Sequence, residues 1–370
     1  MGNTICHLTS VHSRYDTRIF LKQCRSLVDG GYEVFLVVAD GKGDEEKDAV
    51  HIIDIGLIGG RLERIFRAGK RILKKAVFID ADIYHLHDPE LIPVGLRLRR
   101  RGKIVIFDSH EDVPRQMLGK PYWNKSLRWA VSIFLSRYEK WACKKVDAIV
   151  AATPFIRDKF LLINPISVDI NNYPLLGEFS GNVGENIKKN PCVCYVGAIG
   201  SIRGIREMVK AMEYVESDAL LQIGGKFVEL DVEREVKQYA GWKKVEDLGW
   251  LDRDNVRLVL QEAIAGLVTL HPIVNYIDAL PVKMFEYMSA GVPVIASNIP
   301  LWVHIVEGNE CGICVDPFQP KEIAFAIDKM VKDPELSAQM GRNGRKAVEK
   351  KYNWENEEKK LLNLYEKLLI

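Results

Sequence analysis

The stretch Asp278–Ser297, DALPVKMFEYMSAGVPVIAS, predicts a loop, a helix and a buried strand in direct succession. Pro281 is favoured at the first position of a helix, because the amide that proline lacks has no helical partner there. Gly291 is a typical helix terminator, and the apolar run Val292–Ala296 predicts a short buried strand. The unpaired amides at the start of the helix favour a phosphate group, and Lys283 adds a cation. The stretch therefore predicts an α/β unit with a phosphate site at the helix N-terminus.

Two carboxylates flank this predicted phosphate site. Glu286 lies roughly 7 Å further along the helix axis, about the distance from a diphosphate to the ribose hydroxyls of a nucleotide. Asp278 precedes the helix on the opposite side of the phosphate position. The spacing by itself fits a nucleotide site, and it also fits an ordinary loop–helix–strand unit with acids on its surface.

Length and composition indicate a globular enzyme of two domains. The 370 residues exceed a single core and suit two domains of about 150–200 residues. Alternating strands and helices in both halves predict doubly wound parallel sheets. No apolar run approaches the ~18 residues of a membrane span and the N-terminus does not resemble a signal peptide, so a cytoplasmic location is expected. The seven cysteines stand among apolar neighbours, which predicts core thiols rather than a zinc site.

The loop after the first predicted strand, Asn3–Thr9, lacks the Gly-x-Gly-x-x-Gly fingerprint of a dinucleotide-binding domain. This absence weakens a dehydrogenase interpretation. The loop carries His12, Asp16 and Arg18 at the carboxyl end of the strand, where open sheets bind their ligands. These residues fit an acceptor site or a solvated polar loop.

Two further strands of the first half end in polar residues. Ile83–Leu86 leads into His87 and Asp88, and Lys103–Phe107 leads into a polar run that contains His110. Because the carboxyl ends of parallel strands meet at one edge of a sheet, both runs are expected to open on the same cleft. A histidine at such a position is either a ligand-binding group or a structural one.

The segment Arg61–Ala76 combines apolar residues at helical spacing with seven cations and one acid, Glu63. Such one-sided charge predicts a contact with an anionic membrane surface, with a solvated face as the alternative. The first half of the chain is net basic and the second half net acidic. No aromatic or recognition-helix pattern accompanies the cations, which argues against nucleic acid as the partner.

A long amphipathic helix is predicted at Asn124–Lys145. It contains Trp129 and Trp141, which we expect to pack in the core. An interfacial belt that includes Trp123 is the alternative.

The second half begins after an aperiodic segment rich in proline and glycine, which predicts an interdomain linker at residues 173–190. Cys192–Val196 then predicts the first strand of the second domain. The turn Gly197–Gly204 follows and leads into a helix, which makes it a second possible phosphate-facing site. Arg203 stands in this turn, and arginine binds phosphate with two parallel hydrogen bonds.

The opening stretch resembles the donor-site signature of retaining glycosyltransferase family 4, a group with the GT-B fold. In that family two glutamates are separated by seven residues, and a Met-small-x-Gly-x-Pro-Val run follows the second. The matching residues here are Glu286, Met288, Ser289, Gly291, Pro293 and Val294, and Asp278 stands where the first glutamate usually does. The segments Tyr84–Leu91 and Phe107–Pro114 resemble the bacterial and archaeal surface-polysaccharide branch of the same family.

This resemblance implies two Rossmann-like domains with doubly wound parallel sheets that face each other across a cleft. Residues 1–172 would bind the acceptor, 191–353 the nucleotide sugar, and the helix 354–370 would cross back to the first domain. The resemblance implies that a sugar is moved with retention from a nucleotide-diphosphate sugar to an acceptor, expected to be a lipid-linked surface glycan. The implied catalytic residues are His110, Asp278 and Glu286, and the implied donor-binding residues are Gly197, Arg203, Gly204, Gly225, Leu251, Pro281, Val282, Lys283 and Glu286.

Neither a metal nor another cofactor is expected, because Arg203, Lys283 and the helix N-terminus would neutralise the diphosphate. A UDP-sugar is favoured over a GDP-sugar as the donor substrate. Ala198 replaces an arginine that many family members carry, so one phosphate contact would be missing or come from Lys283. The expected place of action is the inner face of the plasma membrane, with the oligomeric state open. The alternatives are a non-hydrolysing nucleotide-sugar epimerase of the same fold and a non-catalytic glycan- or membrane-binding protein.

Overall fold

The computed structural model describes residues 2–59, 67–119, 124–179 and 191–370. The start of the predicted basic helix, Trp123 and most of the predicted linker lie outside these residues. The chain divides into two compact units. The first unit combines Met1–Asn172 with Asn356–Ile370, and the second unit is Tyr173–Glu355.

The first unit is built on an eight-stranded sheet in the order β3-β4-β2-β1-β5-β6-β7-β8. The strands are β1 Thr4–Leu8, β2 Glu33–Val38, β3 Glu45–Lys47, β4 Val50–Asp54, β5 Ile83–Leu86, β6 Ile104–Ser109, β7 Ala148–Ala151 and β8 Ser167–Asp169. Neighbouring strands are parallel except for the β3–β4 pair at the sheet edge. The sequence pattern does not predict β3, because its three residues are charged and none is buried.

Six helices connect these strands in the described part of the first unit. They are α1 Arg25–Asp29, α2 Gly69–Ile79, α3 Ile92–Arg99, α4 Val113–Leu118, α5 Lys125–Cys143 and α6 Pro154–Leu161. A wide π-helical run, Ile19–Cys24, continues directly into α1. Asn124 and Thr153 accept a main-chain hydrogen bond at the starts of α5 and α6, which satisfies an amide that the helix leaves unpaired.

The expectation that Trp129 and Trp141 pack in the core is wrong. Their side chains are 64% and 48% exposed. The buried face of α5 is instead formed by Glu139, Ala142 and Cys143. Ala142 and Cys143 join the apolar core of the first unit and Glu139 pairs with Lys159 of α6, so the helix turns its tryptophan side chains outward.

The second unit is built on a six-stranded, entirely parallel sheet in the order β11-β10-β9-β12-β13-β14. Its strands are β9 Cys192–Val196, β10 Leu220–Gly224, β11 Val245–Gly249, β12 Ala265–Val268, β13 Val294–Ser297 and β14 Gly312–Val315. Its helices are α7 Ile205–Ala211, α8 Leu230–Val236, α9 Arg253–Glu262, α10 Val282–Ser289, α11 Pro300–Val306, α12 Pro320–Lys332 and α13 Pro334–Lys350. The prediction of two parallel-sheet α/β units is confirmed.

Two apolar layers cover this second sheet. Met284, Phe285 and Met288 of α10 belong to one layer, and Met208 and Val209 of α7 belong to the other. Gly266 of β12 lies directly under the ring of Tyr287, so close that an added Cβ would come within 2.2 Å of the ring. This contact fixes α10 against the sheet, and with it the start of α10.

The last helix, α14 Trp354–Leu369, packs on the first unit from Asn356 onward. The main-chain N–H of Asn171 donates to Glu357 Oε2 at 2.8 Å. Tyr365 is fully buried, and its hydroxyl lies 2.7 Å from His85 Nδ1. Among the described residues, no helix is both long and apolar enough to cross a membrane.

Candidate functional site

The loop before α10 ends at Pro281, which is extended and caps the helix, so the first helical residue is Val282. The first amides of a helix have no acceptor one turn earlier, and those of Val282 and Lys283 therefore point out of the N-terminus. Beyond the helix, the Val292 N–H donates to Tyr287 O at 2.9 Å, which closes a tight turn at Gly291. This turn delays the strand to Val294, two residues later than the sequence predicts.

Lys283 places a buried amino group beside the glycine turn of β9. Its Nζ is 3.4 Å from the ring centroid of Tyr195. A Cβ added at Gly197 would lie 3.1 Å from the same Nζ. This Nζ is buried and has no hydrogen-bond partner among the described residues. Burial first, and then the charge of Arg203, lower the pKa of Lys283 well below its usual value. An anion beside Nζ would oppose the effects of burial and of Arg203, and would raise the pKa of Lys283 again.

The glycines of this region are required by close main-chain packing. Gly225 has a φ of 152°, and an added Cβ would come within 1.9 Å of Gly197 O. Gly204 has a φ of 81°, and an added Cβ would come within 2.1 Å of Thr269 O. The structure thus brings Gly197, Gly225 and Lys283 together, and it places Arg203 directly before Gly204 in a short 3₁₀ turn.

Glu286 is nearly buried, and one of its oxygens is already engaged. Arg253 Nη1 donates to Glu286 Oε1 at 2.7 Å. Arg253 Nε donates to Glu178 Oε1 at 2.9 Å. Burial would lower the pKa of Arg253, but the carboxylates of Glu286 and Glu178 raise it. Oxygen Oε2 of Glu286 accepts no hydrogen bond from the described residues and is the atom left for a ligand.

Sequence reasoning misses Arg253 because no local pattern connects it to Glu286, 33 positions later. The sheet order brings the two together. A local signal for Arg253 is Asp252, a typical helix-capping residue. It caps α9 and therefore places Arg253 in the first turn of that helix.

The remaining predicted donor-site residues lie around this group. Asp278 is half-buried in the turn before α10, where the neighbouring Ala279 O accepts from Trp302 Nε1 at 2.8 Å. Leu251 follows β11, and its side chain packs so closely on Gly224 that an added Cβ would lie 2.4 Å from Leu251 Cδ1. The first contact holds the main chain next to Asp278, and the second holds the side chain of Leu251.

The first unit contains a separate cluster of histidines at the carboxyl ends of β1, β5 and β6. His7 Nδ1 and His87 Nε2 are 2.8 Å apart. His87 Nδ1 lies 3.4 Å from His110 Nε2. Burial lowers the pKa of His87 to about 3, against the opposing effect of Asp108. The sequence predicts His87 and His110, whereas His7 is missed because it lies inside a strand.

Asp108 is the charged centre of this cluster. Arg18 Nε and Nη2 donate to its two oxygens at 3.0 and 2.8 Å. Gln23 Nε2 donates to Oδ2 at 2.9 Å. Burial would raise the pKa of Asp108, but Arg18 and the neighbouring histidines lower it well below its usual value. Arg18 is thus a buried structural partner, and the alternative of a solvated loop does not hold for it.

A metal ion is one possible occupant of this cluster. Asp108 Oδ2, His87 Nδ1 and His110 Nε2 are 3.4 Å apart pairwise. The same oxygen already accepts from Arg18 and Gln23, and an added cation would lie beside the Arg18 guanidinium. The charge of Asp108 is therefore already compensated, which favours a hydrogen-bond network over a metal centre.

Two other predicted residues of the first unit have structural partners. Asp88 Oδ2 accepts from Ser10 N at 2.6 Å and from Thr9 Oγ1 at 2.9 Å, which ties the end of β5 to the end of β1. His12 lies between Asp16 and Asp88, with nitrogen–oxygen distances of 3.5 Å to each. Burial would lower the pKa of His12, but these acids raise it.

Comparison with known proteins gives matches over most of the chain. The family model "Glycosyltransferase Family 4" matches residues 17–168, and "Glycosyl transferases group 1" matches residues 181–347. An uncharacterized glycosyltransferase of Methanocaldococcus jannaschii is 25% identical over 297 residues, which cover 77% of this chain and 75% of the relative.

Solved structures with the same fold cover nearly the whole chain. Sucrose-phosphate synthase from Thermosynechococcus elongatus superimposes with a TM-score of 0.81 at 18% identity, over 99% of each chain. The Anabaena protein HepE in complex with UDP-glucose superimposes with a TM-score of 0.74 at 13% identity, over 98% of this chain and 99% of HepE.

Proposed function

The chain belongs to glycosyltransferase family 4 with the GT-B fold, and from this premise we propose that it binds the diphosphate of its nucleotide-sugar donor at the start of α10. The observation that carries the proposal is the buried Lys283 Nζ, which has no hydrogen-bond partner among the described residues. It lies beside the Gly197 turn, and Lys283 itself belongs to the first turn of α10. A buried ammonium group is stabilised by an anion, and the donor supplies one.

The same groups would promote the reaction. As the bond between sugar and diphosphate breaks, negative charge accumulates on the leaving diphosphate. Lys283, Arg203 and the N-terminal amides of α10 would stabilise that charge with no metal ion. Gly197, Gly204 and Gly225 let the main chain pack closely around this site, since the added Cβ atoms described above would not fit.

Glu286 would bind the ribose of the nucleotide. Arg253 holds Oε1, so Oε2 is free to accept from a ribose hydroxyl. Leu251 and the end of β11 would lie beside the base. The HepE complex contains UDP-glucose, and this supports a UDP-sugar as the donor here.

We assign Asp278 to the side of the transferring sugar, where positive charge develops on the anomeric carbon. On the resemblance of Phe107–Pro114 we assign His110 a catalytic role as well. Retention at the anomeric carbon is part of the same proposal and rests on the family resemblance.

The acceptor is proposed to be a lipid-linked surface glycan bound by the first unit. The exposed cations of α2, Lys70, Arg71 and Lys74, support a contact with an anionic membrane, at the inner face of the plasma membrane. Ile72 and Ala76 of the same helix are buried, so these cations lie on its outward side, which also exposes Phe78.

The experiment is the release of nucleoside diphosphate from UDP-sugars and GDP-sugars, with and without glycan acceptors and in excess chelator. We expect release that requires the acceptor and persists in chelator. Turnover of a nucleotide sugar to its epimer without acceptor would support the epimerase instead. Loss of activity in chelator, with rescue by manganese, would contradict the assignment of leaving-group stabilisation to Lys283 and Arg203.

A further inference from the structure

One buried side chain, Tyr195 of β9, interacts with both cations assigned to the diphosphate. Lys283 Nζ lies 3.4 Å from the centroid of its ring. Burial raises the pKa of Tyr195 to about 12, and the charge of Arg203 and a hydrogen bond from it oppose that rise. We propose that Tyr195 is a positioning residue, whose ring holds Lys283 and whose hydroxyl holds the turn that carries Arg203. This role rests on the proposed diphosphate site.

The place of Tyr195 in the sheet explains how one side chain reaches both cations. Its ring belongs to the apolar layer that also contains Met208 and Val209 of α7. The helix α10, which carries Lys283, packs with the opposite layer. Tyr195 is the last residue but one of β9, so Lys283 reaches its ring past the carboxyl end of the strand. Tyr195 therefore connects the α7 side of the sheet with the α10 side.

The hydroxyl of Tyr195 holds the turn between β9 and α7. Its oxygen donates a hydrogen bond to Ala198 O at 2.7 Å. The next part of the turn is held by Glu229, whose Oε2 accepts from Ser201 N at 2.7 Å. Arg203 follows in the same turn. The turn is thus fixed at two points, and Tyr195 supplies the one at the end of β9.

The ring of Tyr195 gives the Lys283 amino group a fixed place before the donor binds. An ammonium group over an aromatic face is attracted by the ring, which favours the protonated form. Burial lowers the pKa of this group most, Arg203 lowers it further, and Glu286 and Cys194 raise it. A lysine side chain loses much rotamer freedom when it is ordered, so ordering it in advance reduces the cost of donor binding.

A purely structural role is the alternative for a buried tyrosine, and Tyr287 of α10 provides the comparison. Its hydroxyl accepts from Val196 N at 2.9 Å, so this tyrosine also ties α10 to the end of β9. Its ring packs on Gly266 of β12. Tyr287→Phe therefore disturbs the same strand and keeps the ring that holds Lys283, which makes it the matched control.

The test is calorimetric titration of UDP over a range of pH. Tyr195→Phe removes the hydroxyl and should bind about threefold more weakly than the wild type, because the turn loses one hydrogen bond. Tyr195→Met also removes the ring and should bind about tenfold more weakly than Tyr195→Phe. The pH above which affinity falls should decrease by about one unit in Tyr195→Met, because no ring favours charged Lys283. Tyr287→Phe should unfold at a lower temperature than the wild type, with wild-type UDP affinity and pH dependence.

The variant Lys283→Met shows whether the ring acts through Lys283. In this background Tyr195→Phe and Tyr195→Met should bind UDP equally. A difference of the same size with and without Lys283 would mean that the ring acts by packing, and would overturn the proposal. Equal binding by the two variants when Lys283 is present would also overturn it. Tyr195→Leu repeats the comparison with a second side chain that lacks a ring, so the result does not depend on the folding of one variant.

The same measurements separate the role of Tyr195 from the diphosphate site on which it rests. Wild-type UDP affinity in Lys283→Met alone would contradict the site itself, and the role of Tyr195 with it. Weak binding by Lys283→Met, together with wild-type affinity and pH dependence in Tyr195→Met, would leave the site intact and overturn the role of Tyr195 alone.

Discussion

At the scale of single residues, Asp278 and Glu286 are expected to act on different parts of the donor. Glu286 would bind the ribose, which is unchanged in the transition state, so Glu286→Gln should mainly raise the donor KM. Asp278 would lie near the sugar, where charge develops, so Asp278→Asn should mainly lower kcat. Asp278→Glu restores the residue usual in the family and should keep measurable activity. Steady-state kinetics of the three variants measure this, and a normal kcat in Asp278→Asn with a reduced kcat in Glu286→Gln would reverse the roles.

Lys283 should make donor binding dependent on pH. Its pKa is lowered in the free protein, mainly by burial, and a bound diphosphate would favour the protonated form. Binding then takes up a proton, so the affinity for UDP should fall as the pH rises above the lowered pKa, by up to about tenfold per pH unit. Calorimetry in buffers with different ionisation enthalpies measures the proton uptake. Lys283→Met should abolish that uptake, and an unchanged uptake in this variant would contradict the assignment.

The same lysine has a consequence for folding. A lysine with a lowered pKa binds fewer protons in the folded protein than in the unfolded chain. It therefore reduces stability at low pH, and that cost disappears as the pH rises towards the usual lysine range. Between the lowered pKa of Lys283 and the usual pKa of lysine, a rising pH should therefore weaken donor binding and increase the stability of the fold.

Arg253 is expected to position Glu286 rather than to touch the donor. Removing its guanidinium leaves Glu286 nearly buried without its partner, so Arg253→Met should raise the UDP-sugar KM several-fold with little change in kcat. Arg253→Lys keeps the charge and should recover part of the affinity. The control is Arg257→Met on the same helix, where the guanidinium lies 3.7 Å from Asp254 Oδ1. A loss confined to kcat would contradict the positioning role.

At the scale of elements, the glycine turn after β10 packs its main chain against the turn after β9. Gly225→Ala should lower the free energy of unfolding by about 2 kcal/mol or more, because the new Cβ meets Gly197 O as well as an unfavourable φ. Gly249→Ala is the control, since its φ of 64° is also unfavourable but nothing lies within 4 Å of the added Cβ. Its cost should be about 1 kcal/mol. Denaturant unfolding of both variants gives the comparison, and equal losses would show that the contact with Gly197 has no effect.

Local patterns predict most elements of the parallel sheets, because each buried strand is a short apolar run between turn residues. They predict β5 at its observed bounds and β9 likewise. The orientation of α5 could not be predicted from its sequence, since apolar residues occur on both sides of the helix. Which side packs is decided by α4 and the sheet, and the buried positions include Glu139.

At the scale of the whole molecule, the residues of the candidate site differ in how far they could be predicted. Lys283 and Glu286 belong to one continuous stretch, so local spacing and family resemblance reveal them together. The order of strands in the sheets brings Arg253, His7 and Asp108 next to their partners. That order cannot be predicted from the spacing of residues in the sequence. Arg18 lies 90 positions from Asp108 and still pairs with it through two hydrogen bonds.

The central claim is that the second unit binds the diphosphate of a nucleotide sugar through the group around Lys283. Calorimetric titration of UDP and GDP into the wild type, Lys283→Ala and Arg203→Ala tests it most directly. The control is Lys332→Ala, which removes a surface cation paired with Glu216. We predict at least ~tenfold weaker nucleotide binding for the first two variants and wild-type affinity for the control. Wild-type affinity in both Lys283→Ala and Arg203→Ala would contradict the claim.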